Sequence, residues 1–397
     1  MATILFLAHR IPYPPNKGDK IRSWHFLSHL IEHHDVHLGF YVDDLRDLQH
    51  IDFLRKKTAS MCFDSISPKI QKLRSLTGLF SGSPLTLAAY PKNKLQNYVE
   101  NCLDQEDVDL IFAFSAATTS LVPVRTNTPL FADLVDVDSE KWASYSQQAS
   151  WPLSWLYKRE AETLSAYEAY VADRSVAASF VSEQEAALFK AHHPKMVDKI
   201  YAIPNGVDLE KFKECLHENT KKSPVILFSG AMNYLPNIEA VEWFCKDIWP
   251  LVIIAYPHVK FRIAGGPTPS RVQNLGKIHG VEVGGYVDDM AHEIAQASVC
   301  IAPMKTARGI QNKVLEAMAV AKPVVATSLA NEGINALDKK QLFVADEAQG
   351  FASAILDLLA NTKVCEEVGK AARFYVEEHF TWRKAFLKLD RIMERYI

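Results

Sequence analysis

The stretch IAPMKTARGIQNKVLEAMAVAKPVVATSLANEGI, Ile301–Ile334, decides the fold. It opens on an apolar strand pattern that stops at Pro303 and passes through a loop containing Arg308 and Gly309. A helical pattern follows from about Gln311 to Val320, and a second apolar run begins at Pro323. Strand, helix, strand is the unit from which parallel sheets are built. The same alternation continues on both sides. From Val225 onward the runs ILFSG, FRIAGG, VEVGGYV, VCIAPM, PVVATS and QLFVAD each precede a polar or helical segment. Before it come Thr3–Ala8, Val36–Val42, Met61–Ile66, Leu110–Ser115, Leu130–Val135 and Val176–Val181, with helical stretches such as Lys20–Ile31 and Leu153–Val171 between them. The expected architecture is α/β, with two Rossmann-like domains facing across a cleft.

The turn cluster Pro204, Asn205 and Gly206 and the polar stretch His217–Ser223 separate the two series. They place an N-terminal domain at 1–203, a linker at 204–222 and a C-terminal domain at 223–378. The tail, 379–397, carries Trp382, Phe386, Leu389 and Ile392 at helical spacing, so it needs an apolar partner, expected on the N-terminal domain.

Composition excludes several classes. At 397 residues the chain has room for two or three domains with large cores. With 44 Lys and Arg against 47 Asp and Glu, the formal charge is −3, so no global field draws the chain onto nucleic acid or an anionic membrane, and any anionic ligand must be caught locally. Six cysteines at 62, 102, 215, 245, 300 and 365 form no CxxC pair, which argues against zinc ribbons and disulfide frameworks and fits a reducing cytoplasm. The N-terminal MATILFLAHRIPYPP has no basic leader and its apolar run is short, so it reads as a first strand.

In open parallel sheets ligands bind beyond the carboxyl ends of the strands. There SGAMNYLPN offers Gly230 and Asn233, with Asn237 expected to cap the next helix, and FRIAGG ends in Gly265 and Gly266. No GxGxxG fingerprint is present, which counts against a dinucleotide oxidoreductase. The backbone at Tyr286–Val287 is placed to read a base edge, beside Asp288 as a cap. Lys313 and Glu316, three apart, share a helix face: a cation with free helix amides suits a diphosphate, and a carboxylate one turn deeper suits ribose hydroxyls. Each has a plainer reading, respectively a tight turn, a strand end and a surface ion pair. In FADLVDVDSEKW, strand alternation would turn Asp136 and Asp138 to one face, with Asp133 nearby, so that Asp136 orients an acceptor hydroxyl; the plainer reading is a helix cap with solvated acids.

Taken in order, PYPPNKGDKIR at Pro12–Arg22, FVSEQE at Phe180–Glu185, IPNGVD at Ile203–Asp208, GxMxYxPN at Gly230–Asn237 and KVLEAMA at Lys313–Ala319 followed by KPVVAT and EGI resemble the GT-B glycosyltransferases of family 4. DLVDVDSEKW and GIQNKVLEAMA are similar to the subgroup associated with exosortase and exopolysaccharide gene clusters. The resemblance implies a nucleotide-diphosphate sugar held by the C-terminal domain, an acceptor on the N-terminal domain, retention of configuration and no obligatory metal. It makes Glu316 the ribose ligand and Lys313 a diphosphate ligand, with the amides of Gly309, Ile310, Gln311 and Asn312 around it. It sets Gly18 in the glycine loop that approaches the diphosphate, flanked by Asp19 and Arg22 on the acceptor side with Asp133 and Asp138. The chain departs from the family where Arg308 replaces the first Glu of E-x7-E, and where Gly230–Asn237 lacks the usual cations. An arginine cannot accept hydrogen bonds from a donor sugar, but it suits phosphate or an acidic sugar.

Other readings stay open at this point. His29-Leu-Ile-Glu32-His33 matches H-x-x-E-H, an inverted zinc-peptidase pattern, although no distal ligand is identifiable. A nucleotide-sugar 2-epimerase shares the two-domain architecture, and a catalytically inactive binding protein is compatible with Arg308. KIQKLRSLTGLF at Lys69–Phe80 and the aromatic-rich Trp151–Tyr157 suit either helix packing or peripheral contact with the inner face of a cytoplasmic membrane that bears a lipid-linked acceptor.

Overall fold

The computed structural model describes residues 1–213, 223–307 and 309–397, so residues 217–222 of the polar linker stretch lie outside the described residues. The chain divides into two compact units, one made of Met1–Ile203 with Phe386–Ile397, the other of Pro204–Ala385.

In the first unit β1 (Thr3–Ala8), β2 (Asp35–Val42), β3 (Ser60–Ser65), β4 (Leu110–Phe114), β5 (Leu130–Val135), β6 (Ala177–Phe180) and β7 (Ile200–Ala202) form one sheet in the order β3-β2-β1-β4-β5-β6-β7. Every adjacent pair is parallel. Crossover helices cover both faces, which is why the central strands are apolar throughout rather than alternating: Ile4–Ala8 and Leu110–Phe114 are buried at every position. Register aligns Phe6, Phe112 and Phe131 across three neighbouring strands, and their rings stack at 4.9 and 5.0 Å.

The helix Gly18–His33 packs on this sheet through Phe26, Leu27 and Leu30. The closing helix, Trp382–Met393, joins the first unit from Phe386 onward. Phe386 stacks on His29 at 4.2 Å, Asp390 Oδ1 lies 2.7 Å from His29 Nε2, and Leu389 is buried. This is the apolar partner that the tail's periodicity requires.

The second unit contains β8 (Val225–Ser229), β9 (Lys260–Ala264), β10 (Val281–Gly285), β11 (Val299–Ala302), β12 (Val324–Ala326) and β13 (Phe343–Val344), parallel in the order β10-β9-β8-β11-β12-β13. Phe244, Trp249, Phe261 and Phe351 cluster on one face, and the buried Trp249 indole donates to the His279 carbonyl at 2.9 Å. In both sheets the strand order, not the strand direction, reverses beside the first strand, at β1/β4 and β8/β11, and such a switch point opens a crevice at the carboxyl edge.

Two expected caps are corrected. The helix Met290–Ala295 is capped by Asp289, which accepts from His292 N at 3.0 Å, not by Asp288. Asn237 lies inside the first turn of Leu235–Trp243, whose N-cap is Tyr234, and its amide is turned to another task.

Candidate functional site

The second unit brings its glycine loops together at the carboxyl edge of β8, β9 and β10. Gly230 N donates to Ala264 O at 2.9 Å, and Gly265 N donates to Gly285 O at 2.7 Å. Gly265 has φ +119, and a Cβ built there would lie 2.1 Å from Gly230 O, so only glycine permits this approach. Across β8, the helix Asn312–Ala319 begins at the end of the loop after β11, and the side chain of its N-cap residue Gln311 does not close the first turn.

Lys313 reaches from that turn toward the glycines. Its Nζ donates to Asn237 Oδ1 at 2.8 Å, lies near Met304 Sδ and Gln311 Oε1, and sits 5.1 Å from the centre of the Phe228 ring. Asn237 Nδ2 in turn donates to Ala231 O at 3.0 Å, so Asn237 ties the β8 loop to the lysine instead of capping a helix. Burial pushes the Lys313 ammonium down to about 8, opposed by Glu316. One turn deeper, burial pushes the half-buried Glu316 carboxyl up to about 7, opposed by Lys211 and Lys313. The Glu316 carboxyl makes no side-chain hydrogen bond among the described residues, while its carbonyl accepts from Val320 N at 3.2 Å. A desolvated cation, an open helix start and a carboxylate lie together on one face, groups whose chemistry is compatible with phosphate and hydroxyl partners.

The other expected donor-side residues are distributed around this core. Asn312 Oδ1 accepts from Asn205 Nδ2 at 3.1 Å, Ile310 is buried, and Gly309 takes φ +58 where it packs on Gly333. Asn233 and Tyr286 are exposed and Val287 is half-buried on loops of the same edge. Arg308 lies outside the described residues.

In the first unit the acid cluster departs from expectation. Asp133 is fully buried, and its carboxylate accepts from Arg22 Nε and Nη2 at 2.7 and 2.8 Å and from Ser179 Oγ at 2.8 Å. Arg22 also donates to Ile203 O at 2.8 Å, so this buried pair ties the helix Gly18–His33 to β5 and to the end of the first unit. Alternation fails after β5 because Val135 takes φ +71: Asp136 follows this kink, while Asp138 opens the helix Asp138–Gln148 and pairs with Lys141. Burial beside Glu185 and Asp138 pushes Asp136 up to about 7. Gly18 is exposed at the start of its helix, and Asp19 pairs with Arg10 and lies 3.3 Å from His9 Nε2. Burial opposes ionisation, but the hydrogen bond from His9 and the Arg10 charge outweigh it and hold the Asp19 carboxyl well below its usual range.

Sequence reasoning missed three residues here, His9, Asp43 and Ser115. Together with Asp136 they follow β1, β2, β4 and β5, strands that are neighbours in the sheet. His9 Nδ1, Asp43 Oδ1, Ser115 Oγ and Asp136 Oδ1 are buried without hydrogen-bond partners among the described residues. His9 stacks on Phe114 at 5.5 Å, Ser115 is held at φ +78, and Arg10 joins Asp43 to Asp19. Unsatisfied polar atoms concentrated at a sheet switch point mark a place for hydroxyl groups or water. A position one past a strand end was the available signal; the strand order that groups these residues was not legible. The H-x-x-E-H pair serves packing, with His29 held by Phe386 and Asp390. Among the described residues no group of three or more His, Cys, Asp or Glu is arranged to hold a metal, and no helix is long and apolar enough to cross a membrane.

Residues 223–361 match the family model described as glycosyl transferases group 1. A Klebsiella pneumoniae protein described as an uncharacterized 44.6 kDa protein in the cps region is 27% identical over 169 residues, 41% of this chain and 44% of that protein. The match thus spans less than half of that relative's length. Among solved structures, Anabaena HepE in complex with UDP and glucose aligns over 99% of this chain and 100% of its own at TM-score 0.71 and 15% identity. Sucrose-phosphate synthase from Thermosynechococcus elongatus aligns over 100% and 99% at TM-score 0.72 and 16% identity. WaaG, a glycosyltransferase involved in lipopolysaccharide biosynthesis, aligns over 98% and 99% at TM-score 0.65 and 14% identity. Residues 223–361 therefore form a group 1 glycosyltransferase domain, within a chain that has the GT-B glycosyltransferase fold along its whole length.

Proposed function

We propose that the chain transfers a hexosyl group, with retention of configuration and without an obligatory metal, from a nucleoside-diphosphate sugar to a hydroxyl of a glycan or lipid-linked acceptor. The observation that carries this reading is Lys313 with Glu316 at the open first turn of Asn312–Ala319, beside the Gly230 and Gly265 loops. Lys313 and the helix amides neutralise the diphosphate, and Glu316, once ionised, accepts from the ribose hydroxyls. As the bond from the anomeric carbon to the diphosphate oxygen breaks, positive charge develops on the sugar and negative charge on the leaving group, where the fixed cation and dipole are aimed. The acceptor oxygen bonds to the same face of that carbon, and its proton passes to the departing diphosphate. His9, Ser115 and Asp136 supply the polar atoms that orient the acceptor hydroxyl. HepE crystallises with UDP and with UDP-glucose, which supports a nucleotide-sugar donor. The cps-region relative supports an exopolysaccharide context, and we place the reaction in exopolysaccharide or cell-envelope glycan synthesis on the cytoplasmic side.

A thermal-shift screen of UDP, GDP and ADP compounds tests this reading, since a ligand that binds only the native state raises its stability by mass action. One nucleotide series should raise the melting temperature. Glu316→Ala should reduce that rise and abolish hydrolysis of the matching nucleotide sugar. Silence across all three series would overturn the reading.

A further inference from the structure

One surface of the first unit carries an apolar load that neither sheet edge uses. On the short helices Pro68–Ser75 and Thr77–Ser81, Ile70, Leu73, Leu76 and Phe80 are exposed, Leu73 to 70% and Phe80 to 92%. Trp151, at 81%, with Leu153 and Trp155 is exposed at the start of the helix Leu153–Arg174. The two segments are joined into one platform. Arg159 Nη2 donates to Gly78 O at 2.6 Å and to Ser83 O at 3.2 Å, and the Glu160 carboxylate accepts from Leu85 N and Thr86 N at 2.6 and 2.8 Å. Soluble proteins rarely expose so many large apolar side chains together unless something covers them.

Charge identifies the cover. Residues 65–99 contain no Asp or Glu but carry Lys69, Lys72, Arg74, Lys92 and Lys94. Residues 141–159 likewise contain no acid and carry Lys141, Lys158 and Arg159. The first stretch carries the local positive charge beside the apolar platform, in a chain whose formal charge is −3; in the second, Lys141 pairs with Asp138 and Lys158 lies 4.0 Å from Glu162. Within the first stretch lies a groove of about 300 Å³ whose polar lining is Arg74, Thr77, Ser81, Ser83, Lys92 and Asn93 and whose apolar lining is Leu87, Ala88 and Tyr90; its two cations and three hydroxyls suit a phosphate monoanion. Tryptophan and phenylalanine at the rim with lysine and arginine beside them are the side chains favoured at a bilayer interface.

We infer that this platform docks on an anionic phospholipid bilayer, with Leu73, Phe80, Trp151 and Trp155 entering the interface and a lipid headgroup phosphate occupying the groove. The inference does not depend on the proposed chemistry, because none of these residues belongs to the donor loops or to the polar atoms at the edge of the first sheet.

Co-sedimentation of the full chain with vesicles tests it. At low salt the protein should sediment with phosphatidylcholine vesicles containing phosphatidylglycerol, and much less with pure phosphatidylcholine; binding should weaken as salt rises. The double variant Leu73→Ser, Phe80→Ser should lower vesicle affinity at least about tenfold. Arg74→Gln with Lys92→Gln should remove most of the preference for the anionic vesicles. All four positions are at the surface, so an unchanged melting temperature and an unchanged response to nucleotides would separate lost docking from lost folding. No sedimentation at low salt, equal binding of both vesicle types, or full binding by the Leu73, Phe80 variant would each overturn the inference. So would a finding that the apolar variant changes only self-association.

Discussion

Lys313 combines two properties that set its behaviour with pH: its ammonium is drawn into the protein by Asn237 and Phe228, and the acid that opposes its loss of the proton is Glu316. Burial therefore wins and the group deprotonates at about 8 instead of at 10.5. The charged form is present below that value and lost above it, so affinity for a nucleoside diphosphate should fall as pH rises through about 8. Titration calorimetry with UDP from pH 6.5 to 9 should show this limb, and Lys313→Met should bind weakly with no limb at all; a flat profile for the natural chain would refute the role. The Lys313 and Glu316 pair was legible in the sequence because both lie on one helix and helical spacing is local information. The Arg22 and Asp133 pair was not, since its partners are 111 residues apart and only the adjacency of helix Gly18–His33 to β5 brings them together. An aspartate in an acid cluster reads as exposed chemistry until its cation is found. His9, Asp43 and Ser115 were missed for the same reason, as their common edge exists only in the order β2-β1-β4-β5.

At the scale of elements, strands were read easily because parallel strands covered on both faces are unbroken apolar runs, and β1 and β5 begin and end where the sequence pattern does. Their ends were harder. The left-handed φ of Val135 turns the chain after β5, so the alternation extrapolated to Asp136 and Asp138 did not hold, and a cap shifts by one residue from Asp288 to Asp289. The helices Asp138–Gln148 and Leu153–Arg174 are joined by a contact that the sequence did not announce: the buried Glu168 carboxyl accepts from Ser139 N at 3.2 Å and Ser139 Oγ at 2.6 Å. Burial pushes Glu168 up to about 8, more than these bonds pull it down. Because the folded value lies above the ordinary 4.5, the folded state holds the proton more tightly, and this site loses stability as pH rises from about 4.5 to about 8. Glu168→Gln preserves the shape without the charge. Its melting temperature should stay close to the natural one at pH 5 and exceed it at pH 9; a deficit at both would mean that the carboxylate itself is needed.

Across the whole molecule, the chain leaves the first unit at Ile203 and returns to it at Phe386, so the last twelve residues complete a core laid down by the first half of the sequence. Leu389 is fully buried there and its neighbour Asp390 holds His29 at 2.7 Å, on the helix that also carries Arg22. The donor loops, Lys313 and Glu316 all lie in the second unit. This division makes the effect of a tail substitution specific in place. Truncating a buried leucine costs about 2–5 kcal/mol, and Leu389→Ala should lower the melting transition of the first unit by that order. A nucleoside diphosphate should still raise the transition of the second unit, because every residue assigned to its binding there is untouched. Scanning calorimetry of the natural chain and Leu389→Ala, each with and without UDP, separates the two responses. If the substitution and the nucleotide move one and the same transition, the two units unfold cooperatively and the tail stabilises the donor site as well as the sheet it packs on.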